Sequence, residues 1–155
     1  NGSYLVGGKT YSARELKDIF IALDKEFHFL SIEDPFFEGS FEDFADLKNV
    51  LEAKIVGDDL TVTNSKKLAE AVAQNAIDAI IIKPNQIGTL TETINTMKEA
   101  RDNGIDCIVS HRSGETEDSF IADLAYAFGC FGLKAGALRR PERIIKYKRM
   151  LDITK

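Results

Sequence analysis

Five residues of chemistry-bearing type recur at nearly even intervals along this chain: Glu33, Asp58, Lys83, His111 and Lys134, separated by 25, 25, 28 and 23 residues. Each is the first charged or titratable side chain past a short apolar run. Two carboxylates are hard oxygen donors which, with water and the oxygens of a substrate, suit Mg²⁺. A lysine partly withdrawn from water beside a second cation holds its proton less tightly, and that lets it serve as a base. Lys83, at the end of the most apolar run, is the candidate. Arg112-Ser113-Gly114, directly after His111, offers a planar fork, a hydroxyl and close backbone approach, the parts of an anion subsite. Taken singly, each residue has an ordinary structural explanation. Glu33-Asp34 and Asp58-Asp59 suit turns that cap helices, Lys83 suits a salt bridge to those acids, and Glu115-Thr116-Glu117-Asp118 suits the start of a helix, where negative charge is favoured. The shared phase is what points to one site.

The apolar runs are His28-Phe29-Leu30-Ser31-Ile32, Ala53-Lys54-Ile55-Val56, Ala79-Ile80-Ile81-Ile82, Ile105-Asp106-Cys107-Ile108-Val109 and the weaker Cys130-Phe131-Gly132-Leu133. Short runs of this composition predict strands buried on both faces. Helical stretches lie between them. Ser12-Ala13-Arg14-Glu15 and Thr89-Leu90-Thr91-Glu92 have the form of capping boxes, and Asn103-Gly104 predicts a helix stop. Leu90, Ile94 and Met97 predict one apolar face; Phe120, Ile121, Leu124 and Phe128 predict another; Ile144, Ile145, Tyr147 and Leu151 predict the last. Alternating strand and helix call for a parallel sheet covered by helices, with the strand-end residues gathered at one rim. Five strands are clear and Tyr4-Leu5-Val6 is a sixth candidate, so the expected fold is α/β: a partial TIM-type (β/α) barrel of about five to six parallel strands. A closed barrel needs eight.

Composition removes several classes. With 155 residues, 20 basic against 25 acidic side chains and a net charge of −5, the chain fits one domain spanning residues 1–155, with no electrostatic case for nucleic acid. No apolar stretch reaches the roughly 18 residues of a membrane span. Cys107 and Cys130 read as reduced core thiols, His28 as a packed core histidine, and the start at Asn1-Gly2-Ser3 as a trimmed or tagged end of a cytoplasmic protein.

Four segments together resemble one family. Ser31-Ile32-Glu33-Asp34-Pro35-Phe36, Val56-Gly57-Asp58-Asp59-Leu60-Thr61-Val62-Thr63-Asn64, Lys83-Pro84-Asn85-Gln86-Ile87-Gly88 and Ser110-His111-Arg112-Ser113-Gly114-Glu115-Thr116-Glu117-Asp118 are similar to the C-terminal part of the enolase (phosphopyruvate hydratase) barrel. The likeness runs from about Phe29 to Tyr147. It implies Mg²⁺-dependent dehydration of 2-phosphoglycerate to phosphoenolpyruvate in glycolysis. Under it Glu33 and Asp58 are metal ligands, Lys83 is the base and His111 contacts the substrate. Lys134 binds the substrate carboxylate, while Arg112 and Ser113 hold the phosphate. Such a reaction forms a doubly negative aci-carboxylate, so a site that concentrates positive charge fits it.

The resemblance also marks departures. Pro84 stands for an apolar residue and restricts Lys83 to extended geometry; Ala135 stands for threonine; Pro141 stands for serine at a helix start that proline suits. The family's capping domain, acid-step glutamates and third metal carboxylate have no counterpart in these residues. The isolated chain is therefore expected to be inactive, and to associate with itself or with a companion N-terminal enolase chain. Two other readings stand beside this one: a non-catalytic enolase-like binding or scaffold module, and a related enzyme acting on a different acid.

Overall fold

Each apolar run contributes a strand: Ala79–Ile82 is buried at all four positions and has no polar side to turn toward water, whereas Ser31–Glu33 and Gly132–Lys134 keep only three residues each. The computed structural model describes residues 2–155. In chain order the elements are β1 (Ser3–Val6), β2 (Lys9–Ser12), α1 (Ala13–Phe27), β3 (Ser31–Glu33), α2 (Phe41–Lys48), β4 (Lys54–Gly57), α3 (Ser65–Ala73), β5 (Ala79–Ile82), α4 (Pro84–Ile87), α5 (Leu90–Asp102), β6 (Asp106–Ser110), α6 (Phe120–Ala127), β7 (Gly132–Lys134) and α7 (Pro141–Ile153). Strands β3 to β7 lie side by side in sequence order, all parallel. The fold is the expected half of a (β/α) barrel.

Local signals placed the helices well. Ser12 and Glu15 form a complete capping box on α1, and Thr89 accepts from Glu92 N at 3.1 Å on α5. Pro84 takes the first position of α4, with Lys83 extended at φ −125° and ψ 95° before it. The main core lies between sheet and helices. It includes Phe44, Leu47, Ile55, Leu68, Ile80 and Ile82.

Four expectations need correction. Tyr4-Leu5-Val6 is no sixth parallel strand: β1 pairs antiparallel with β2 through Gly7-Gly8, whose φ values of +57° and +81° make a tight hairpin. His28 is not in the core; it is exposed and ends α1 in the left-handed conformation at φ 51°. On α5 the buried residues are Thr93, Thr96, Met97 and Ala100, while Leu90 is 45% exposed. On α7 the pattern inverts, for Arg143 and Lys146 are buried while Ile144 and Leu151 are exposed.

Candidate active site

Alternation along the strands decides which side chains meet. Ile32, Ile55, Ile80, Ile82 and Val109 belong to the helix-side core, and Leu133 packs against it. Val56, Ala79 and Ile81 form a separate cluster with Ile108 on the other face. Successive strand side chains point to opposite faces, so Glu33, Asp58, Lys83 and Lys134 fall on the second face. His111 has the opposite parity, because Val109 is on the helix side and Ser110 is not. Four of the five strand-end residues therefore share a face, whereas His111 lies in the loop after β6 with its ring turned to Arg143 of α7.

The four form two ion pairs. Lys83 Nζ lies 2.6 Å from both Asp58 Oδ1 and Oδ2, and Lys134 Nζ lies 2.6 Å from Glu33 Oε1. The second pair measures the curvature of the sheet. Glu33 and Lys134 end opposite edge strands, four strand spacings apart, which in a flat sheet is about 19 Å. A glutamate and a lysine cannot span that, so the sheet curls toward this face and makes it concave. The charges thus stand around the rim at the C-terminal ends of the strands.

Neighbouring backbone holds these groups in place. Thr63 Oγ1 accepts from Lys83 N at 2.9 Å, and Thr96 Oγ1 donates to Thr63 O at 3.0 Å. Val62 and Thr63 hold φ values of 45° and 58°, a strained conformation for branched residues in the segment that carries Asp58. Asp34, itself at φ 42°, accepts from Asp58 N at 2.9 Å and Asp59 N at 2.6 Å. It is a turn acid, but it caps the loop of the neighbouring strand and not the helix that follows it. Burial pushes the Asp34 carboxyl above its usual range; the two N–H donors pull it down, and the charges of Asp58 and Asp59 push it up again.

Carboxylate oxygens of Asp34, Asp58 and Asp59 lie within 4.8 Å of one another. Glu33 is not one of that trio, and its Oε1 is engaged by Lys134. For a hard dication the donor chemistry is suitable. Asp58 and Glu33 end adjacent strands and would offer carboxylate oxygens to such an ion, and Mg²⁺ commonly completes its shell with water and substrate. Both carboxylates already hold an ammonium group.

The loop after β6 carries His111, Arg112 and Ser113, and α7 straps it down. Arg143 donates to Arg112 O at 3.0 Å and Ser113 O at 3.1 Å. Lys146, 1% exposed, donates to Thr116 O at 2.9 Å and pairs with Glu115 Oε2 at 2.8 Å. Glu115 Oε1 also accepts from Arg112 N at 2.9 Å. Of the acids expected to open a helix, Asp118 does so by accepting from Phe120 N, whereas Glu115 braces the loop. Burial works to raise the Glu115 carboxyl, but Lys146 and Arg112 N outweigh it and leave it below its usual range. Among the described residues no carboxylate pairs with the Arg112 guanidinium, and Ser113 is exposed, so both remain available to an anion. Sequence reasoning missed Arg143 and Lys146; their three-residue spacing on one helix face was the available signal.

Both cysteines are half-buried, and burial pushes the Cys107 thiol up to about 12 and the Cys130 thiol up to about 11. They are unsuited to nucleophilic work at neutral pH.

A curved parallel sheet, helices on its convex face and a charged rim at the strands' carboxyl ends define a TIM-barrel type of protein, with its site where such barrels keep theirs. Comparison with known proteins gives the family. Residues 5–155 match the family model described as "Enolase, C-terminal TIM barrel domain", and the chain belongs to that family. It is 47% identical over 155 residues to the enolase of Aeropyrum pernix, covering 99% of this chain and 36% of that protein. The enolase of Methanosarcina barkeri is 47% identical over 152 residues, and that of Campylobacter jejuni 44% over 155. The chain spans little more than a third of the length of these relatives.

Proposed function

We propose that this chain supplies the base, the phosphate-binding groups and two metal ligands of a phosphopyruvate hydratase, which converts 2-phosphoglycerate to phosphoenolpyruvate and water in cytoplasmic glycolysis. The observation that carries the reading is the concave rim on which Lys83 meets Asp58 and Lys134 meets Glu33, two strands' acids balanced by two strands' cations. Mg²⁺ bound by Asp58 and Glu33 would add positive charge beside the substrate carboxylate. Lys83, an ammonium paired to Asp58 in this structure, must first pass a proton to solvent and then accepts the carbon-bound proton next to that carboxylate. Lys134 holds the carboxylate as its charge doubles. Arg112 and Ser113 anchor the phosphate, and His111 contacts the substrate from the loop. Hydroxide leaves with the help of an acid from an N-terminal polypeptide, which also supplies the third metal carboxylate.

The test is complementation. The chain mixed with an enolase-type N-terminal polypeptide should form phosphoenolpyruvate only when Mg²⁺ is present, and Lys83→Ala should abolish this. The chain alone should give no turnover. A bound partner without product would favour a scaffold module, and turnover indifferent to Arg112 and to the substrate's phosphate would favour a different acid substrate.

A further inference from the structure

Of the two cations that α7 turns inward, one ends on His111. The Arg143 guanidinium contacts His111 Nδ1 while its other bonds go to the carbonyls of Arg112 and Ser113. Arg143 is only 9% exposed, so no water competes easily for these bonds. A guanidinium has five N–H donors and no acceptor, and it keeps its proton in proteins. The ring nitrogen it touches must therefore accept. A neutral imidazole carries one proton, and if Nδ1 offers its lone pair then Nε2 holds the N–H.

The backbone beside the ring leaves room for this orientation. Gly136 has φ +79°, and a Cβ built there would stand 3.0 Å from His111 Cε1 and 3.4 Å from Nδ1. The missing side chain leaves room for the ring's Nδ1–Cε1 edge against the wall made by Gly136 and Arg143. His111 N donates to Lys134 O at 2.9 Å, which holds the base of the side chain at the strand end. Nε2 is left without a hydrogen bond to any described residue.

We infer that Arg143 is a positioning residue that fixes His111 as the Nε2–H tautomer, so that His111 meets its ligand as a hydrogen-bond donor and not as a proton acceptor. The charged groups facing the ring are Arg143 and Lys146 from α7, Lys134 from β7 and Glu115 from its own loop. Burial and then the Arg143 charge hold the imidazole below its usual range; Glu115 opposes them, and Lys134 and Lys146 add to them. The ring is thus neutral at physiological pH, as a tautomer requires. The use of this donor toward a phosphorylated acid rests on the function proposed above; the tautomer itself does not.

The experiment is two-bond proton–nitrogen NMR on the histidine-labelled 155-residue chain. At a pH above its titration midpoint, His111 should show a protonated Nε2 and a bare Nδ1. Arg143→Met should let part of the proton population move to Nδ1, weakening that asymmetry, and should raise the His111 titration midpoint. Arg143→Lys, which keeps a cationic donor, should retain a bare Nδ1. Tyr147→Phe removes a 2.6 Å bond from the same helix to Gly136 O and should leave the tautomer unchanged. A protonated Nδ1 in the unaltered chain overturns the inference. So does an Arg143→Met spectrum like that of the parent, or a Tyr147→Phe change as large as that of Arg143→Met. If Arg143→Met does not fold, the parent chain and Arg143→Lys still decide. Turnover enters none of these readouts, so the proposed activity and the tautomer stand or fall separately.

Discussion

Lys83 and Asp58 face each other with about a tenth of each side chain exposed, 13% and 10%. Removing one member of so enclosed a pair leaves the other charge without a partner and with little water. Lys83→Met is therefore expected to lower stability by about 3 kcal/mol in metal-free buffer. A dication bound at the carboxylate would replace the lost ammonium, so Mg²⁺ should raise the denaturation midpoint of Lys83→Met more than that of the parent. Equal Mg²⁺ shifts in urea titrations of the two chains would oppose a metal role for Asp58. At this scale strand-end position and residue type were legible in the sequence, and the structure puts Glu33, Asp58, Lys83 and Lys134 on one face in two ion pairs. The partners that hold them were not legible. Thr63 reaches Lys83 N only because Val62 and Thr63 take left-handed backbone, which no side-chain pattern announces.

Helix α7 illustrates how an element can be placed correctly and turned the wrong way. Its apolar residues predicted an apolar buried face, yet it buries Arg143 and Lys146 because the carbonyls of the β6–α6 loop need donors there. Gly7-Gly8 was the unused signal for the hairpin of β1 and β2, and a short apolar triplet drew Tyr4-Leu5-Val6 toward the wrong sheet. Strands β4 to β6 were the most readable, since burial on both faces demands their composition. The bracing of the loop by α7 has a pH consequence through Glu115. Its carboxyl lies below 4.5 in the folded chain. The contribution is complete above that unfolded value and is lost as the pH falls through the lower folded one. Glu115→Gln should cost about 2 kcal/mol at pH 7, the size of a hydrogen bond to a charged group. As acid rises below pH 4.5 the gap between parent and variant should close. A gap that stays constant down to full acid unfolding, in urea midpoints measured at several pH values, would show that Lys146 does not depend on that carboxylate.

At the scale of the chain the sheet has two ends. Among the described residues β3 and β7 each pair on one side only, and the sheet has five strands where a closed barrel has eight. Large apolar side chains flank both edges. Phe27 and Leu30, 73% exposed, precede β3; Phe131 precedes β7 and Leu138, 70% exposed, follows it. Unpaired strand edges beside exposed apolar surface favour pairing with another chain, and three-residue edge strands limit how strongly any one partner is held. The Lys134–Glu33 pair draws the two edges toward one another at the rim, so a partner that adds strands must approach both. The chain alone should therefore associate weakly, with a sedimentation coefficient that rises with concentration. An enolase-type N-terminal polypeptide should suppress that rise, because it competes for the same edges. Leu30→Lys together with Leu138→Glu should weaken self-association and complementation alike. A concentration-independent monomer would contradict the edge argument. Self-association that persists unchanged in the presence of a bound N-terminal polypeptide would place the contact elsewhere on the surface.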